Sequence, residues 1–142
     1  MLNKVILMGR MTRDPELRHT QSNQPVASFT LAIDRDRKGP NGERYTDFID
    51  CVAWGKMAEF VTNWFAKGAM TIVVGRIQSR RWQDQNGNNR TAIEVNCAEV
   101  SFGETKKARD AVGQAVPQQP SCLPPDSEGF QEMQDNEGDV PF

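Results

Sequence analysis

The sequence predicts a small, mainly β domain followed by a disordered tail. Two observations predict the domain. Apolar and polar residues alternate along several segments before residue 102, which is typical of strands with one buried face, and one segment has helical spacing. A third observation predicts the tail: from Ala111 onward Pro, Gln, Gly, Ser and acidic residues dominate. Such a composition buries too little apolar surface to offset the entropy of ordering.

Three strands are predicted before the helix. The apolar run Val5–Met8 indicates the first, and the loop after it contains Pro15, which restricts the residue before it. Alternating apolar residues predict a second strand over Val26–Ile33. A turn cluster at 38–42 with an Asn-Gly pair then suits a hairpin, and residues of high β propensity predict a third strand over Glu43–Trp54.

One helix and two more strands complete the predicted domain. The apolar residues after Lys56 fall at helical spacing, which indicates a core-facing helix: Met57, Phe60, Val61, Trp64 and Phe65. Gly68 is its expected C-cap. Strands over 71–82 and 91–102 follow, joined by a polar turn at 84–88. This order matches the OB-fold, a five-stranded Greek-key barrel with one helix between strands 3 and 4, and an unclosed five-stranded sandwich is the alternative.

Charge divides the chain into a basic body and an acidic tail. The net charge is −2, but residues 1–109 contain all 17 Lys and Arg beside 12 Asp and Glu, which gives +5. Residues 110–142 contain 7 acidic residues and no Lys or Arg, which gives −7. This asymmetry favours a nucleic-acid partner for the body and another role for the tail. The predicted organisation is a binding domain at 1–104, a disordered acidic linker at 105–138 and a tip at 139–142.

The composition argues against several other classes. The 3 cysteines are far apart, without a CxxC pair, and the chain has 1 histidine, so we expect no disulfide scaffold, metal site or cofactor. Cys51 and Cys97 are interpreted as small strand residues. The sequence has no 18-residue apolar run and no signal-peptide pattern, so we expect a soluble, cytoplasmic protein without a membrane partner.

Aromatic and basic residues alternate on the predicted strands, which favours binding to single-stranded nucleic acid. Arg80, Arg81 and Trp82 precede the last hairpin turn, where a core position is unexpected, although an oligomer contact or a capping role is the alternative for Trp82. Phe48 and Trp54 are six residues apart, so both lie on one face of their strand. That face is either the core or the DNA side, and Lys56 beside Trp54 favours the DNA side.

Further cations at strand ends and in loops are candidate groove residues. Each alone is better explained as a solvated surface charge, and the sequence does not show which of them converge. They are Arg10, Arg13, Arg18, Arg35, Arg37, Lys38 and Arg44.

The C-terminal tip has the form of a docking peptide. Asp139 precedes Val140, Pro141 and Phe142, and the chain end adds a carboxylate. An aromatic ring and a carboxylate on a flexible acidic tail need only an apolar pocket with basic residues on a partner protein. We therefore predict that the tip binds other proteins.

These residues together resemble the bacterial and phage single-stranded DNA-binding proteins. The resemblance covers Leu2 to about Phe102 and resumes at the tip. It depends on the segments Asn3–Arg10, Arg13–Arg18, Trp54–Lys56 and Gly75–Trp82 and on the Pro141-Phe142 ending.

The resemblance implies an OB-fold, usually a homotetramer, that coats single strands without strong sequence preference in replication, recombination and repair. By the resemblance Phe48, Trp54 and Trp82 occupy base-stacking positions, and four basic residues match positions near DNA: Lys56, Lys67, Arg80 and Arg81. It implies association with the nucleoid and a tip that docks replication and repair enzymes. Arg37 stands where members often carry an aromatic residue, and Phe48 stands where Trp is common.

Two other functions remain as alternatives at this point. An OB-fold nuclease would need a cluster of metal-binding carboxylates or an acid–base constellation, which one histidine and scattered acids do not offer, so we expect no enzyme activity. An adaptor whose barrel binds protein or RNA is the second. The Arg80-Arg81-Trp82 hairpin argues against protein binding and leaves RNA open.

Overall fold

The computed structural model describes residues 1–112, which form a six-stranded sheet and two helices. The tip and most of the acidic linker lie outside these residues, so the disorder predicted for residues 113–138 stays a prediction. The strands are β1 (Val5–Met11), β2 (Glu16–His19), β3 (Pro25–Lys38), β4 (Arg44–Trp54), β5 (Met70–Gln83) and β6 (Asn89–Phe102), and the helices are α1 (Lys56–Trp64) and α2 (Lys106–Val112).

Five of the strands close into a barrel. The hydrogen-bonded order is β1-β5-β6-β4-β3, and β1 pairs with β3 as well, so the sheet returns on itself. Only the β4–β6 pairing is parallel. Closure of this kind, with α1 between the third and fourth barrel strands, is the OB-fold predicted from the sequence, and the unclosed sandwich is excluded. The sixth strand, β2, is a short edge strand paired only with β3.

The core fills the barrel with the inward residues of alternating strands. Phe29, Leu31 and Val73 are at most 1% exposed, as the period-two pattern predicts. Cys51 and Cys97 are buried free thiols, which confirms their interpretation as small strand residues. A hydrogen bond with Cys97 and burial raise the pKa of the Cys51 thiol, so this cysteine stays protonated.

Helix α1 covers one end of the barrel, and its end differs from the prediction. Phe65 is extended, is only 3% exposed and stacks on Phe102 with ring centroids 4.2 Å apart. The prediction that Gly68 is the C-cap is therefore wrong, because this core contact ends the helix at Trp64, before Gly68 is reached. The interpretation of Trp64 as a core residue is also wrong, since its side chain is 63% exposed.

Two elements have no counterpart among the predicted ones. The strand β2 follows the predicted loop around Pro15, and all four of its residues are exposed, so no buried face marks it in the sequence. Helix α2 begins at Lys106, inside the segment assigned to the linker. The long strands also extend beyond the barrel: β3 continues to Lys38, and β5 and β6 run to the turn at residues 84–88 as a two-stranded ribbon.

Candidate nucleic-acid interface

The outward side of four neighbouring barrel strands forms one continuous surface. On it Ser28 of β3 lies opposite Val52 of β4, and β4 lies beside β6. A shallow cavity of about 170 Å³ joins β3, β4, β5 and β6, since Ser28, Val52, Arg80 and Glu94 all line it. We call this surface the strand face. It comprises Ser28, Val52, Trp54, Arg80, Trp82 and Glu94.

Trp54 lies at the edge of the strand face, at the end of β4. It stands opposite Val26 on β3, and its side chain is 39% exposed. Gly55 follows in a left-handed conformation with φ of 60°, which glycine adopts without strain, and its N–H donates to Pro25 O at 2.8 Å. The chain therefore turns directly from β4 into α1, and Lys56, the exposed first residue of the helix, lies beside Trp54.

Trp82 lies on the β5–β6 ribbon. It pairs with Arg90 across the ribbon and is 44% exposed. Arg80, two residues earlier and thus on the same side, has its Nε atom 3.9 Å from a Glu94 carboxylate oxygen. Gln78 Nε2 donates to the same carboxylate at 2.8 Å. The ribbon therefore holds one arginine in a fixed position between the barrel wall and the exposed indole.

Arg81 has a different position from the one its neighbours suggest. Side chains alternate along a strand, so Arg81 shares the opposite side of the ribbon with Ser79, Thr91 and Ile93. The sequence run Arg80-Arg81-Trp82 thus divides between two sides. Only Arg80 and Trp82 belong to the strand face.

Asp84 fixes the turn at the tip of the ribbon. Its carboxylate accepts the backbone N–H groups of Asn86 at 3.0 Å and Asn88 at 2.9 Å. It also lies 3.2 Å from the guanidinium of Arg90. The Asn88 N–H above all, and the Arg90 side chain after it, hold the pKa of Asp84 below its usual range. The turn thereby positions Arg90 beside Trp82.

Phe48 lies farther along β4, on the same side as Trp54 by strand alternation. Phe48 and Trp54 are six positions apart, which corresponds to about 20 Å along the strand. Phe48 is 67% exposed, so neither aromatic belongs to the core, which was the open alternative. The Phe48 ring also borders an apolar cavity of about 470 Å³ that Ile77 and Ile93 of the ribbon line from its other side. Phe48 therefore lies between the strand face and an apolar surface.

Of the remaining predicted cations, Arg13 lines the cavity of the strand face, whereas Arg10 and Arg35 lie elsewhere. Arg10 of β1 donates to Gly68 O at 2.9 Å and lies 3.5 Å from Glu104, so it ties the loop before β5 to the end of β6. Arg35 binds both carboxylate oxygens of Asp47, at 2.9 and 2.7 Å. This pair raises the pKa of Arg35 and lowers that of Asp47.

Arg37 and Lys67 are two further predicted cations. Arg37 is exposed near the end of β3 and forms no ion pair with any residue in 1–112. Lys67 is exposed beyond α1, where its backbone N–H donates to Asp14 Oδ1 at 2.8 Å. The structure thus places Trp54, Arg80 and Trp82 on the strand face. Arg13 lines its cavity, whereas Arg10 and Arg35 form ion pairs elsewhere on the barrel.

Sequence reasoning missed Trp64 and the apolar surface of β1. Trp64 is the last residue of α1, where the barrel no longer lies beneath the helix, and its polar neighbours Asn63 and Lys67 are the signal that could have shown its exposure. On β1, Ile6 is 67% and Met8 51% exposed. Their alternation with Val5 and Leu7, which pack against the core, shows a strand that is apolar on both faces.

Within residues 1–112 no three His, Cys, Asp or Glu side chains are grouped closely enough to hold a metal ion. Neither α1 nor α2 is long and apolar enough to cross a membrane.

Comparison with known proteins identifies the family. Residues 2–103 match the Single-strand binding protein family. The Single-stranded DNA-binding protein 1 of Streptococcus agalactiae is 46% identical over 110 residues, which cover 78% of this chain and 68% of that protein. The Single-stranded DNA-binding protein of Caldanaerobacter subterraneus is 40% identical over an alignment of 152 residues that covers 100% of both. The match spans the whole barrel, and the chain therefore belongs to the single-strand binding protein family.

Proposed function

We propose that the barrel binds single-stranded DNA on the strand face, without strong sequence preference, and coats it during replication, recombination and repair. The observation that carries the proposal is the exposure of Trp54 and Trp82 on one continuous surface, with Arg80 also on it. The relatives named above are single-stranded DNA-binding proteins, which supports the same conclusion.

The chemistry of the strand face suits a ligand of any sequence. Every base has a flat aromatic face, so stacking on Trp54 and Trp82 contributes roughly 1–3 kcal/mol per base whichever base is present. Lys56 and Arg80 attract phosphates, and the release of counterions makes this attraction dependent on salt. Phe48 extends the stacking surface along β4. The protein acts by binding and protection, without catalysis.

We propose further that the chain assembles as a homotetramer. Exposed apolar residues support the assembly at two places, the outer side of β1 with Ile6 and Met8 and the cavity bordered by Ile77 and Ile93. Apolar surface of this kind on a soluble domain is typical of protein interfaces. A second copy of the chain is the occupant that fits, because a symmetric interface brings the same patch from each subunit together.

The tip gives the protein its second activity in this proposal. Asp139 to Phe142 bind replication and repair enzymes, while the barrel remains on DNA in the cytoplasm, at the nucleoid. The −7 charge of residues 110–142 supports a division of labour, because DNA repels the tail and a basic pocket on a partner attracts it.

A titration of the intrinsic tryptophan fluorescence with poly-dT tests DNA binding. We expect strong quenching, weaker binding at the higher of two salt concentrations, and a solution mass that reports the tetramer. Poly-U as a competitor tests the RNA alternative. Absence of quenching, or an affinity that does not change with salt, would contradict stacking or phosphate contact respectively.

Deletion of Val140 to Phe142 tests the tip. We expect the shortened chain to bind poly-dT as the full chain does and to lose the capture of purified replication and repair enzymes. The matched control is a deletion of equal length inside the linker, at Gln118 to Pro120, which leaves the tip in place. Capture that survives loss of the tip would exclude its docking role.

A further inference from the structure

Trp64 exposes a large aromatic side chain outside the strand face. It lies at the end of α1, between the buried residues Val61 and Phe65, yet 63% of its surface faces solvent. A cavity of about 340 Å³ opens beside it and is lined by Trp64, Lys67 and Arg109 together with Asn63, Ala66, Gly68, Ala69 and Glu104. By exposed fraction, Trp64 is second only to Phe48 among the aromatic residues of 1–112, and it lies next to two cations.

The charges around this cavity are predominantly positive. Glu104, the single acid that lines it, is only 12% exposed at its side chain. Its carboxylate accepts the Met70 N–H at 3.1 Å and lies 3.5 Å from Arg10. Lys67 and Arg109 form no ion pair with other residues in 1–112, and Arg109 lies 4.7 Å over the Phe102 ring. The acid is therefore occupied by internal contacts, and the cations are available to a ligand.

Helix α2 adds to this charge. Its residues Lys106 and Lys107 are exposed, as is Asp110, so the three cations of this helix, with Arg109, outweigh its one acid. We name this region the helix-end patch and define it by Trp64, Lys67, Lys106, Lys107 and Arg109. An exposed indole with four cations has the same chemistry as the strand face.

We propose that the helix-end patch is a second contact site for single-stranded DNA, where a base stacks on Trp64 and the four cations hold phosphates. The inference builds on the proposed function. Helix α1 connects the two sites, because Lys56 beside Trp54 begins it and Trp64 ends it, about 13 Å farther along the helix axis. A DNA strand that leaves Trp54 reaches the helix-end patch within a few nucleotides.

The acidic tip of the chain is the competing occupant. It carries an aromatic ring and carboxylates, and if the 30 residues after Val112 are disordered, as the sequence predicts, their root-mean-square reach is roughly 30 Å. DNA is the occupant that we propose, because the tip offers one ring, whereas two exposed indoles lie near the two ends of α1. The tests therefore include chains without the tip.

A single-tryptophan protein tests the contact directly. In a full-length chain with Trp54→Phe and Trp82→Phe, all tryptophan fluorescence comes from Trp64. Poly-dT should quench this fluorescence, and deletion of residues 139–142 should leave the quenching in place, while the anisotropy of labelled dT measures binding in the same samples. If labelled dT is bound and Trp64 is unchanged, the inference is overturned. If quenching disappears with the tip, displacement of the tip explains it, and the inference is also overturned.

Substitution of Trp64 alone tests its contribution to affinity. Trp64→Ala should weaken poly-dT binding by about five-fold or more, and Trp64→Phe, which keeps a stacking ring, should recover most of the loss. Thermal unfolding should be little changed, since the side chain is mostly exposed. Equal affinities of wild type and Trp64→Ala would overturn the inference. Failure of the proposed function would give a different result, because the wild-type protein itself would then not bind labelled dT.

Discussion

The two sides of the β5–β6 ribbon have different chemistry although they alternate along the same two strands. One side carries Arg80 and Trp82 opposite Ala92 and Arg90. The other carries Ile77, which is 49% exposed, and Ile93, which is 69% exposed. Because the ribbon extends beyond the barrel, both sides are accessible in the single chain. The first side suits nucleic acid, and the second suits protein.

The difference would allow one hairpin to serve the two ligands proposed above. A side chain reaches only one side of a strand. A substitution of Gln78, Arg80 or Trp82 therefore alters the side that carries Trp82 and leaves the opposite side unchanged. The polar network of Gln78, Arg80 and Glu94 further keeps the DNA side in place, with no contribution from Ile77 or Ile93. DNA binding and assembly should therefore be separable by mutation.

The largest expected effect is a loss of affinity for poly-dT when both tryptophans of the strand face are removed. Trp54→Ala combined with Trp82→Ala removes two stacking surfaces, each worth roughly 1–3 kcal/mol, so poly-dT affinity should fall by about 30-fold or more. Fluorescence anisotropy of labelled dT measures it. The solution mass and the circular dichroism spectrum should stay those of wild type. Unchanged affinity in the folded double variant would disprove the stacking model.

The second largest effect is expected on assembly, through the side of the ribbon that carries Ile77 and Ile93. Ile93→Asp places a carboxylate on a surface that we propose a second copy covers, and an unpaired charge buried there costs several kcal/mol. Light scattering should report a mass closer to the 16.0 kDa of one chain. Ile93→Leu is the matched control and should keep the assembly. An unaltered mass in Ile93→Asp would mean that this side of the ribbon is not the interface.

The barrel was predictable from the sequence because its strands follow one local rule. Inward residues such as Phe29 and Leu31 alternate with outward ones, and the single helical segment has its own period. The pairing of β1 with both β3 and β5 follows from the fold class once the order of elements is known. Strand β2 was not predictable, since an edge strand with four exposed residues has no apolar period.

The candidate site was predictable only in part, because its geometry depends on where strands end. Trp82 and Trp54 are exposed as expected. The position of Arg81 differs from that of Arg80, since alternation places the two on opposite sides of the ribbon. Trp64 has core spacing, but the stacking of Phe65 on Phe102 ends the helix there and leaves the indole outside. Such tertiary contacts have no local signature.

The smallest expected effect concerns the turn that holds Trp82 in place. The pKa of Asp84 is lowered, so its charged form stabilises the turn, and this contribution is complete above the unfolded pKa of about 4 and is lost as the pH falls through the lower folded value. The amide proton shifts of Asn86 and Asn88 should therefore titrate with a midpoint below that of Asp in an unfolded peptide. Asp84→Asn should abolish the titration.

The partners of Asp84 sharpen the same measurement. The Asn88 N–H contributes most to the lowered pKa, and the Arg90 side chain contributes less, so Arg90→Gln should raise the midpoint only part of the way to the unfolded value. Because Arg90 pairs with Trp82, lowering the pH should change the fluorescence of Trp82. The mass of the assembly, which we propose depends on Ile77 and Ile93, should stay constant. A midpoint at or above the unfolded value would show that the turn does not hold Asp84 in its charged form.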